Sequence, residues 1–266
     1  MFSASNILGC LLLSSGAFLH AATPPLRVCA DPNNLPYSNQ QKQGFENELA
    51  AMIARDFGTQ VSYLWYPQRE AFFRKTLNAG ACDIVMSVPE GFRDSATTQP
   101  YYRSTYVFVS RADEKLGRLT LDDPRLKRLR IGVQMVGNDA TNTPPAHALA
   151  TRGIVSNVRG YMLYGDYAKP NPPVEIVRAV ERGDVDVALV WGPLAGYFAA
   201  QSPVPLRLDP VTPWFADMQW PMQFDISVGV QKDDQKLLKE IDQVLVRRRS
   251  EIDRLLDSYH VPRVRS

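Results

Sequence analysis

The first residues suited to binding a ligand follow the apolar segment Leu26–Ala30, whose composition predicts a strand. Asp31, Asn33, Asn34 and Tyr37 come directly after it, in a segment typical of a turn. Loops at the carboxyl ends of strands in open α/β sheets are where ligands bind. These side chains offer hydrogen bonds and one aromatic face for stacking, so the spacing predicts a ligand-facing loop.

Covalent and metal chemistry have no comparable signature in the sequence. Beyond the first 21 residues the chain has two histidines, His147 and His260, and neither has metal-ligand spacing around it. The sequence contains no glycine-rich phosphate loop and no G-x-S-x-G nucleophile elbow. Scattered carboxylates can still assemble an acid–base site, but binding is the favoured role, with no metal or cofactor expected.

An internal repeat predicts two similar α/β lobes. One offset of 103 residues joins three pairs of positions, namely Leu26 with Leu129, Gly80 with Gly183, and Asp83 with Asp186. In both copies a helix-like segment ends at the glycine, as at a left-handed helix cap, and the aspartate opens a buried strand. Asp83 and Asp186 are therefore interpreted as structural. Chance similarity between common helix and strand boundaries is the alternative.

The length of the chain bounds the number of domains, and its charge argues against nucleic acid as a partner. Its 266 residues can form one large domain or two modest ones. The 30 Lys and Arg residues nearly balance the 28 Asp and Glu residues, so no nucleic-acid-binding surface is indicated.

The N-terminal residues 1–21 are predicted to be a secretory signal peptide. They contain no charged residue, residues 7–19 are mostly apolar, and small residues suit cleavage after Ala21. A transmembrane helix needs roughly 20 apolar residues, so this shorter run predicts export to the periplasm without a membrane anchor.

Two cysteines remain after cleavage, Cys29 and Cys82. An oxidising compartment favours their pairing. Cys29 lies inside the first predicted strand and Cys82 at the start of another, and these strands could be neighbours in a doubly wound lobe. A disulfide is therefore predicted, with two separately buried thiols as the alternative.

Periodicity and composition give a coarse map of the remaining elements. Helices are predicted over Gly44–Gly58, Arg69–Ala79, Val174–Arg182 and, as one long amphipathic helix, Asp234–Tyr259. Strands are predicted over Val61–Tyr66, Thr105–Ser110 and Ile226–Val230, the last two as candidates to run between the lobes. A loop is expected at Gln134–Pro145 and irregular chain at Gln201–Pro221.

Six longer phrases carry a family resemblance. They are CADPNNLPYSN at 29–39, GFENELA at 44–50, WYPQREAFFRKTLNAGACDIVMSVP at 65–89, QPYYRSTYVFVSR at 99–111, GDVDVALVWGPLAGYFA at 183–199 and FDISVGV at 224–230. With them the mature chain resembles the type 2 periplasmic solute-binding proteins, in the MoxJ or XoxJ subgroup associated with quinoprotein alcohol dehydrogenases. The resemblance implies an α/β fold of two doubly wound lobes joined by crossing strands, with a ligand cleft between them. Lobe one would comprise 22–110 with 223–266, and lobe two 111–222.

The comparison with amino-acid-binding relatives argues against a free amino acid as ligand. Those proteins typically hold the ligand carboxylate with an arginine before a P-Y-Y-like segment, whereas Arg93 precedes Pro100 at a shorter spacing. They hold the ammonium with an acid at the position that Trp191 occupies here. A buried ammonium without a carboxylate is costly.

The resemblance and the strand ends together predict the lining of the cleft, for stacking on and hydrogen bonding to a neutral ligand or one compatible with aromatic side chains. From lobe one these residues are Asp31, Asn33, Asn34, Tyr37, Tyr66, Gln68, Ser87, Glu90, Tyr101, Tyr102 and Arg103. From lobe two they are Gln134, Asn138, Tyr164, Asp166 and Trp191. The alternative is that the asparagines only form a turn and that Tyr101 or Tyr102 is packed in the core.

Three functions remain open. The resemblance implies a non-enzymatic accessory protein that binds a pyrroloquinoline-quinone (PQQ) alcohol dehydrogenase or its cytochrome c, a small ligand, or both. The second is the receptor of an ABC importer for a small solute. The third is an enzyme on the same fold, as in periplasmic dehydratases, for which two cleft groups with opposed pKa shifts would be expected.

Overall fold

A computed structural model of the chain describes residues 23–69, 71–136, 142–163, 166–216 and 219–264. The predicted signal peptide, Asn138 and Tyr164 lie outside the described residues. Within the ranges described, no helix combines the length and apolar character needed to cross a membrane.

The described chain forms fourteen strands and seven α-helices. The strands are β1 (Leu26–Ala30), β2 (Asn33–Asn34), β3 (Ser38–Asn39), β4 (Val61–Trp65), β5 (Ile84–Pro89), β6 (Ala96–Thr97), β7 (Tyr102–Arg111), β8 (Ile131–Met135), β9 (Val158–Met162), β10 (Val187–Trp191), β11 (Leu206–Pro210), β12 (Phe215–Ala216), β13 (Trp220–Pro221) and β14 (Gln223–Val230). The helices are α1 (Phe45–Asp56), α2 (Phe72–Lys75), α3 (Pro144–Thr151), α4 (Glu175–Glu181), α5 (Gly192–Ala199), α6 (Gln235–Arg247) and α7 (Arg249–Ser258). Short 3₁₀ turns lie at Leu77–Ala79, Ala112–Glu114, Pro124–Lys127 and Pro172–Val174.

Lobe one is built on the strand order β4-β1-β5-β14, in which β1 is parallel to both β4 and β5. Strands this apolar must be covered on both faces. Helices α1, α6 and α7 cover one face, with Phe45, Ile53 and Ile241 fully buried. The other face packs around Phe72, Leu77 and the cysteines.

Lobe two repeats this construction with the strand order β10-β8-β9 and parallel pairing throughout. One face packs on Leu126 and Leu149, and the other on the apolar side of α4, including Val177 and Val180. Each lobe is therefore a sheet between two helical layers, which confirms the predicted α/β fold of two doubly wound lobes.

The internal repeat is visible in the strand register and in one ion pair of each lobe. Val28 pairs with Ile84 in lobe one, and Ile131 pairs with Val187 in lobe two. Asp83 accepts hydrogen bonds from the Arg27 backbone N–H and Nε at 2.8 and 3.1 Å.

Asp186 accepts the corresponding bonds from Arg130 at 2.7 and 3.1 Å. Both aspartates thus hold the start of two adjacent strands together, which is the structural role predicted for them.

Strands β7 and β14 connect the lobes. The first part of β7 pairs with β14, from Tyr102 opposite Ile226 to Thr105 opposite Gln223. From Tyr106 onward β7 pairs with β10 and β11 of lobe two. One continuous strand therefore belongs to both sheets, and the cleft lies beside it.

The predicted disulfide is confirmed. Cys29 in β1 and Cys82 just before β5 are bonded, with their Cα atoms 5.6 Å apart. The two strands are neighbours in the sheet, as the sequence predicts. Both cysteines are fully buried against Phe72 and Leu77.

The predicted helix over Arg69–Ala79 is wrong in its continuity. The structure has the single turn α2 followed by a 3₁₀ turn, and Thr76 between them has φ −121° and ψ −90°. Phe72 and Leu77 are both buried in one cluster. Residues five apart lie on different faces of a straight helix, so the chain must break for both to reach the core.

The predicted single helix over Asp234–Tyr259 is also divided, into α6 and α7 at Arg248, which has ψ 10°. The guanidinium of Arg248 bonds Asp56 of α1 at 2.6 Å and Glu251 at 2.8 Å. The interruption is slight, because the hydrogen bonds Arg248 N–H to Val244 O and Ile252 N–H to Arg248 O continue the i to i−4 pattern.

Two predicted loop regions contain regular structure. Gln134 lies in β8 and Pro144 begins α3, so the loop is shorter than predicted. In Gln201–Pro221 the structure has β11, which ends at Pro210 on the edge of the sheet, where a missing N–H is tolerated.

Candidate functional site

A cavity of about 290 Å³ lies between the lobes. Ligand pockets in proteins usually measure about 300–1,000 Å³, so the cavity suits a small molecule. Lobe one contributes Asn34, Tyr37, Glu46, Gln68, Ser87, Pro89, Tyr102, Phe224 and Ile226, and lobe two contributes Gln134, Leu163, Pro173, Trp191 and Leu194. Tyr106 lies on the part of β7 that pairs with the lobe-two sheet.

The first turn of α1 forms part of the lobe-one wall. The backbone N–H of Glu46 donates to the Tyr37 carbonyl at 3.0 Å, and Phe45 N–H donates to Pro36 at 2.9 Å. Gly44 allows this approach, because a Cβ there would lie 1.9 Å from the Tyr37 carbonyl oxygen. The glycine therefore fixes Tyr37 and Glu46 side by side at the cavity.

Ser87 reaches the cavity from an irregularity in β5. Its φ is +51°, in the left-handed region, and the pairing of β14 with β5 shifts register between Ser227 and Gly229. Such bulges redirect a side chain at functional sites. The Ser87 hydroxyl lies 3.1 Å from the hydroxyl of Tyr101.

The lobe-two wall is organised around Trp191 at the end of β10. Trp191 follows Val88, near the end of β5, by the same 103 residues that relate the two copies of the repeat. Its ring meets the rings of Tyr106 and Phe224 at centroid distances of 5.1 and 5.8 Å. Its backbone N–H donates to Oε1 of the buried Gln134 at 2.9 Å. The ring is thus packed against both the crossing strands and the cavity.

Glu46 is the charged side chain of the described lining, and it is only 4% exposed. Burial raises the pKa of Glu46 to about 7, the charge of Asp31 adds to that rise, and the Ser87 hydroxyl opposes it. Desolvation disfavours the charged carboxylate. Glu46 can therefore change between neutral and charged forms near neutral pH.

Asp31 is fully buried at the end of β1 and bonds residues of both lobes. Its carboxylate accepts the backbone N–H groups of Asn33 and Gln68, each at 2.8 Å. It also accepts a short hydrogen bond from the Tyr167 hydroxyl of lobe two. The guanidinium of Arg69 lies over the Tyr167 ring, 4.7 Å from its centroid.

Asn33 makes two further bonds across the cleft. Its Nδ2 donates to the Lys169 carbonyl at 2.8 Å, and its Oδ1 accepts the Asn171 N–H at 2.9 Å. Together with the bond between Asp31 and Tyr167, these contacts form a clasp between the 31–33 segment, which follows β1, and the 167–171 segment. The clasp holds the lobes closed over the cavity.

Seven of the predicted cleft residues line the cavity, and Asp31 and Asn33 lie beside it in the clasp. The seven are Asn34, Tyr37, Gln68, Ser87, Tyr102, Gln134 and Trp191. An adjoining groove of about 580 Å³ shares Asn34, Gln68 and Ser87 with the cavity and continues past Arg69 and Arg74.

The other described residues of the prediction do not line the cavity. Tyr101 is buried in the lobe-one core, and Tyr66 packs on Phe72 with ring centroids 6.2 Å apart. Arg103 points away along β7 and pairs with Asp225 at 2.6 Å.

Glu90 and Asp166 are exposed at the surface. Alternation along a strand explains Arg103, because neighbouring side chains lie on opposite faces and Tyr102 takes the cavity side.

Glu46, Tyr106 and Phe224 line the cavity but were not among the predicted residues. Tyr106 lies in the predicted crossing strand Thr105–Ser110, and Phe224 lies two residues before the predicted strand Ile226–Val230, on the longer β14 of the structure. The predicted crossing strands are the signal that points to this part of the chain. The sequence has no such signal for Glu46, because acidic residues are favoured in the first turn of any helix.

The described site supports binding chemistry. Among the residues described, no group of three His, Cys, Asp or Glu side chains is arranged to hold a metal ion. The lining has one carboxyl with a raised pKa, and no second lining carboxyl accompanies it with a lowered pKa. The pair of opposed pKa shifts expected of an acid–base enzyme is therefore not found among the described lining residues.

Comparisons with known proteins agree with this architecture. Residues 26–262 match the model of the bacterial extracellular solute-binding proteins, family 3. The chain is 31% identical over 248 residues to protein MoxJ of Methylorubrum extorquens (strain AM1), covering 89% of this chain and 81% of that protein.

Two solved structures resemble the whole described fold. The crystal structure of MxaJ from Methlophaga aminisulfidivorans MPT has a TM-score of 0.76 at 28% identity, covering 90% of this chain and all of that one. The crystal structure of periplasmic binding protein XoxJ from Methylobacterium extorquens AM1 has a TM-score of 0.74 at 32% identity, covering 91% of this chain and all of that one. The chain therefore belongs to the family 3 bacterial extracellular solute-binding proteins, and within them to the MoxJ and XoxJ type.

Proposed function

We propose that the protein is a periplasmic, non-enzymatic accessory factor of a PQQ-dependent alcohol dehydrogenase system, which binds a partner protein, a small ligand in the cleft, or both. The observation that carries the proposal is the similarity to MoxJ and XoxJ over nearly the whole mature chain. The cleft residues predicted from the sequence, and lobes of 22–110 with 223–266 and 111–222, are parts of the same proposal. The partner is the dehydrogenase or its cytochrome c.

An exposed aromatic pair in lobe two supports a protein partner. Trp214 is 54% exposed and Phe215 is 64% exposed, beside the short β12–β13 ribbon. Adjacent exposed aromatic side chains favour a protein interface, where such residues are enriched. We assign this pair to the docking surface for the dehydrogenase system.

Binding of the purified host dehydrogenase and, separately, of its cytochrome c by interferometry tests the proposal. We expect one of them to bind, and a double variant Trp214→Ser, Phe215→Ser to weaken binding at least about tenfold, since hot-spot aromatics contribute 2 kcal/mol or more. Val246→Ser is the matched control, because Val246 is 68% exposed on α6, in lobe one. Absence of binding to both proteins would reject the partner proposal.

The receptor of a small-solute importer is the second candidate. The clasp and the cavity enclosed between the lobes favour it, because closure around a ligand is how two-lobed binding proteins work. Deletion of the gene separates the two candidates. Loss of solute uptake with unchanged alcohol oxidation supports the receptor, and loss of alcohol oxidation supports the accessory factor.

A further inference from the structure

The charge of the cavity is unbalanced. Glu46 is buried in its wall, and no Lys or Arg is present among the described lining residues. Two arginines, Arg69 and Arg74, line the adjoining groove and are exposed. A buried carboxylate without a cation is costly, and a ligand cation in the cavity would balance the charge of Glu46.

Five aromatic side chains line the same cavity, namely Tyr37, Tyr102, Tyr106, Trp191 and Phe224. They come from both lobes and from both crossing strands, so a ligand held between them is contacted from several sides. Rings of this kind attract cations through their negative faces, and cages of such rings bind methylated ammonium groups. The hydroxyl of Tyr102 is buried and has no hydrogen-bond partner in the part of the chain described.

The arrangement disfavours a ligand carboxylate. The negative charges of Glu46 and Asp31 lie on the lobe-one side. A zwitterionic amino acid would place its carboxylate among these groups without a described arginine or lysine in the cavity. A cation without a carboxylate avoids that repulsion, and about 290 Å³ limits it to a small one.

We propose that the cavity binds a small organic cation of the methylated-ammonium class, with Glu46 as its counter-ion and the aromatic rings around its methyl groups. This inference rests on the proposed function only in that the cleft holds a small ligand. It specifies the class of that ligand and excludes free amino acids.

The proposal makes binding depend on pH. Glu46 is faced by the charge of Asp31 from β1 and by Tyr37, Tyr63, Tyr101 and Tyr102 from the neighbouring segments. Burial raises the pKa of each of these tyrosines above its usual value, so they stay neutral. A cation binds the charged form of Glu46, so affinity rises as the pH increases through about 7.

Calorimetric titration with choline and with its neutral carbon isostere, 3,3-dimethyl-1-butanol, tests the inference. We expect choline to bind at least about tenfold more tightly than the isostere, the size of a desolvated cation–π and ion-pair contribution. Between about pH 5.5 and pH 8.5 the affinity for choline should rise by about thirtyfold, the change in the ionised fraction of a group with a pKa near 7.

Glu46→Gln should remove the pH dependence of choline binding and reduce the preference for choline to the part that the aromatic rings contribute. Glu48→Gln is the matched control, because Glu48 lies in the same helical turn but is exposed and accepts a hydrogen bond from Tyr259 at 2.7 Å. Leucine and phenylalanine, tested in parallel, should bind at least about tenfold more weakly than choline.

Equal affinity for choline and the isostere, or a choline affinity that is independent of pH, would overturn the inference while leaving a neutral ligand in the cleft. Micromolar binding of either amino acid would also overturn it. If choline and the isostere both fail to bind while the alcohol dehydrogenase system still does, the organic-cation inference is wrong and the proposed function stands.

Discussion

At the scale of single residues, Glu46 is the group whose environment differs most from what its residue type favours. The backbone N–H groups of Phe45 and Glu46, at the start of α1, donate to the Pro36 and Tyr37 carbonyls. This attachment directs the Glu46 carboxyl into the cavity instead of solvent. Burial raises the pKa of Glu46 to about 7, from 4.5 in an unperturbed chain. The folded protein therefore binds a proton that the unfolded chain releases between pH 4.5 and 7.

That difference predicts how stability depends on pH. Because the pKa is raised on folding, the free energy of unfolding should fall as the pH rises through this window. Glu46→Gln removes the effect, so we expect the variant to be more stable than the parent at about pH 8 by on the order of 1–3 kcal/mol, and similar to it below about pH 4.5. Urea unfolding at several pH values measures this.

Glu48→Gln is the control for the same substitution outside the cavity. Equal pH profiles for the parent and Glu46→Gln would contradict the assignment of the raised pKa to Glu46.

Residue-level prediction succeeded where topology sets the position. Trp191 follows from the repeat, since a strand end in lobe two must face the strand end of lobe one. Prediction of individual residues failed where the local backbone geometry sets the direction of a side chain. Arg103 alternates out of the cleft, and Glu46 enters it because Gly44 admits the Tyr37 carbonyl. The alternation of side chains along β7 could have excluded Arg103 once Tyr102 was assigned to the cleft, whereas the contact of Gly44 with Tyr37 has no pattern in a single sequence.

At the scale of elements, the two lobes share one strand arrangement but differ in the contacts that hold their strands together. In each, an aspartate bonds the backbone N–H at the start of the first strand, so strand pairing begins in register. Lobe one adds the covalent bond between Cys29 and Cys82 on neighbouring strands. The sequence therefore predicts correctly that the two strands joined by the cysteines are neighbours.

Helix lengths were predicted less well. The stretch Asp234–Tyr259 has a continuous apolar stripe, yet Arg248 turns to bond Asp56 on another helix. The break in Arg69–Ala79 depends on the common cluster of Phe72, Leu77 and the disulfide. In both cases the deciding contacts join residues distant in sequence, which periodicity does not register.

The disulfide predicts a defined loss of stability. It closes a loop with a sequence separation of 53 residues, and cross-links of this kind typically stabilise proteins by about 2–4 kcal/mol. A double variant Cys29→Ala, Cys82→Ala should lose that amount while keeping its strand pairing, as measured by urea unfolding with circular dichroism.

Reductant should destabilise the parent by a comparable amount and leave the double variant unchanged. An unfolding midpoint that is the same in the parent and the double variant would show that the bond contributes nothing in solution.

At the scale of the whole molecule, two crossing strands join the lobes, and the clasp closes them. Strand β7 belongs to both sheets, β14 pairs with its first part, and together the two strands carry Tyr102, Tyr106 and Phe224 into the cavity. The clasp lies apart from them, at Asp31 and Asn33. The crossing strands can therefore act as the hinge and the clasp as the contact that opens, as in hinge closure of two-domain proteins.

The balance between open and closed forms should depend on the clasp. Asn33→Ala removes two hydrogen bonds to lobe two, each worth about 0.5–1.5 kcal/mol, and this shifts the population toward the open form by about 5- to 150-fold. Small-angle X-ray scattering should then show a larger radius of gyration for the variant than for the parent. Asn34→Ala is the matched control, because Asn34 Nδ2 donates within lobe one, to Gln68 at 3.4 Å. If the two variants scatter alike, the bonds of Asn33 do not govern closure.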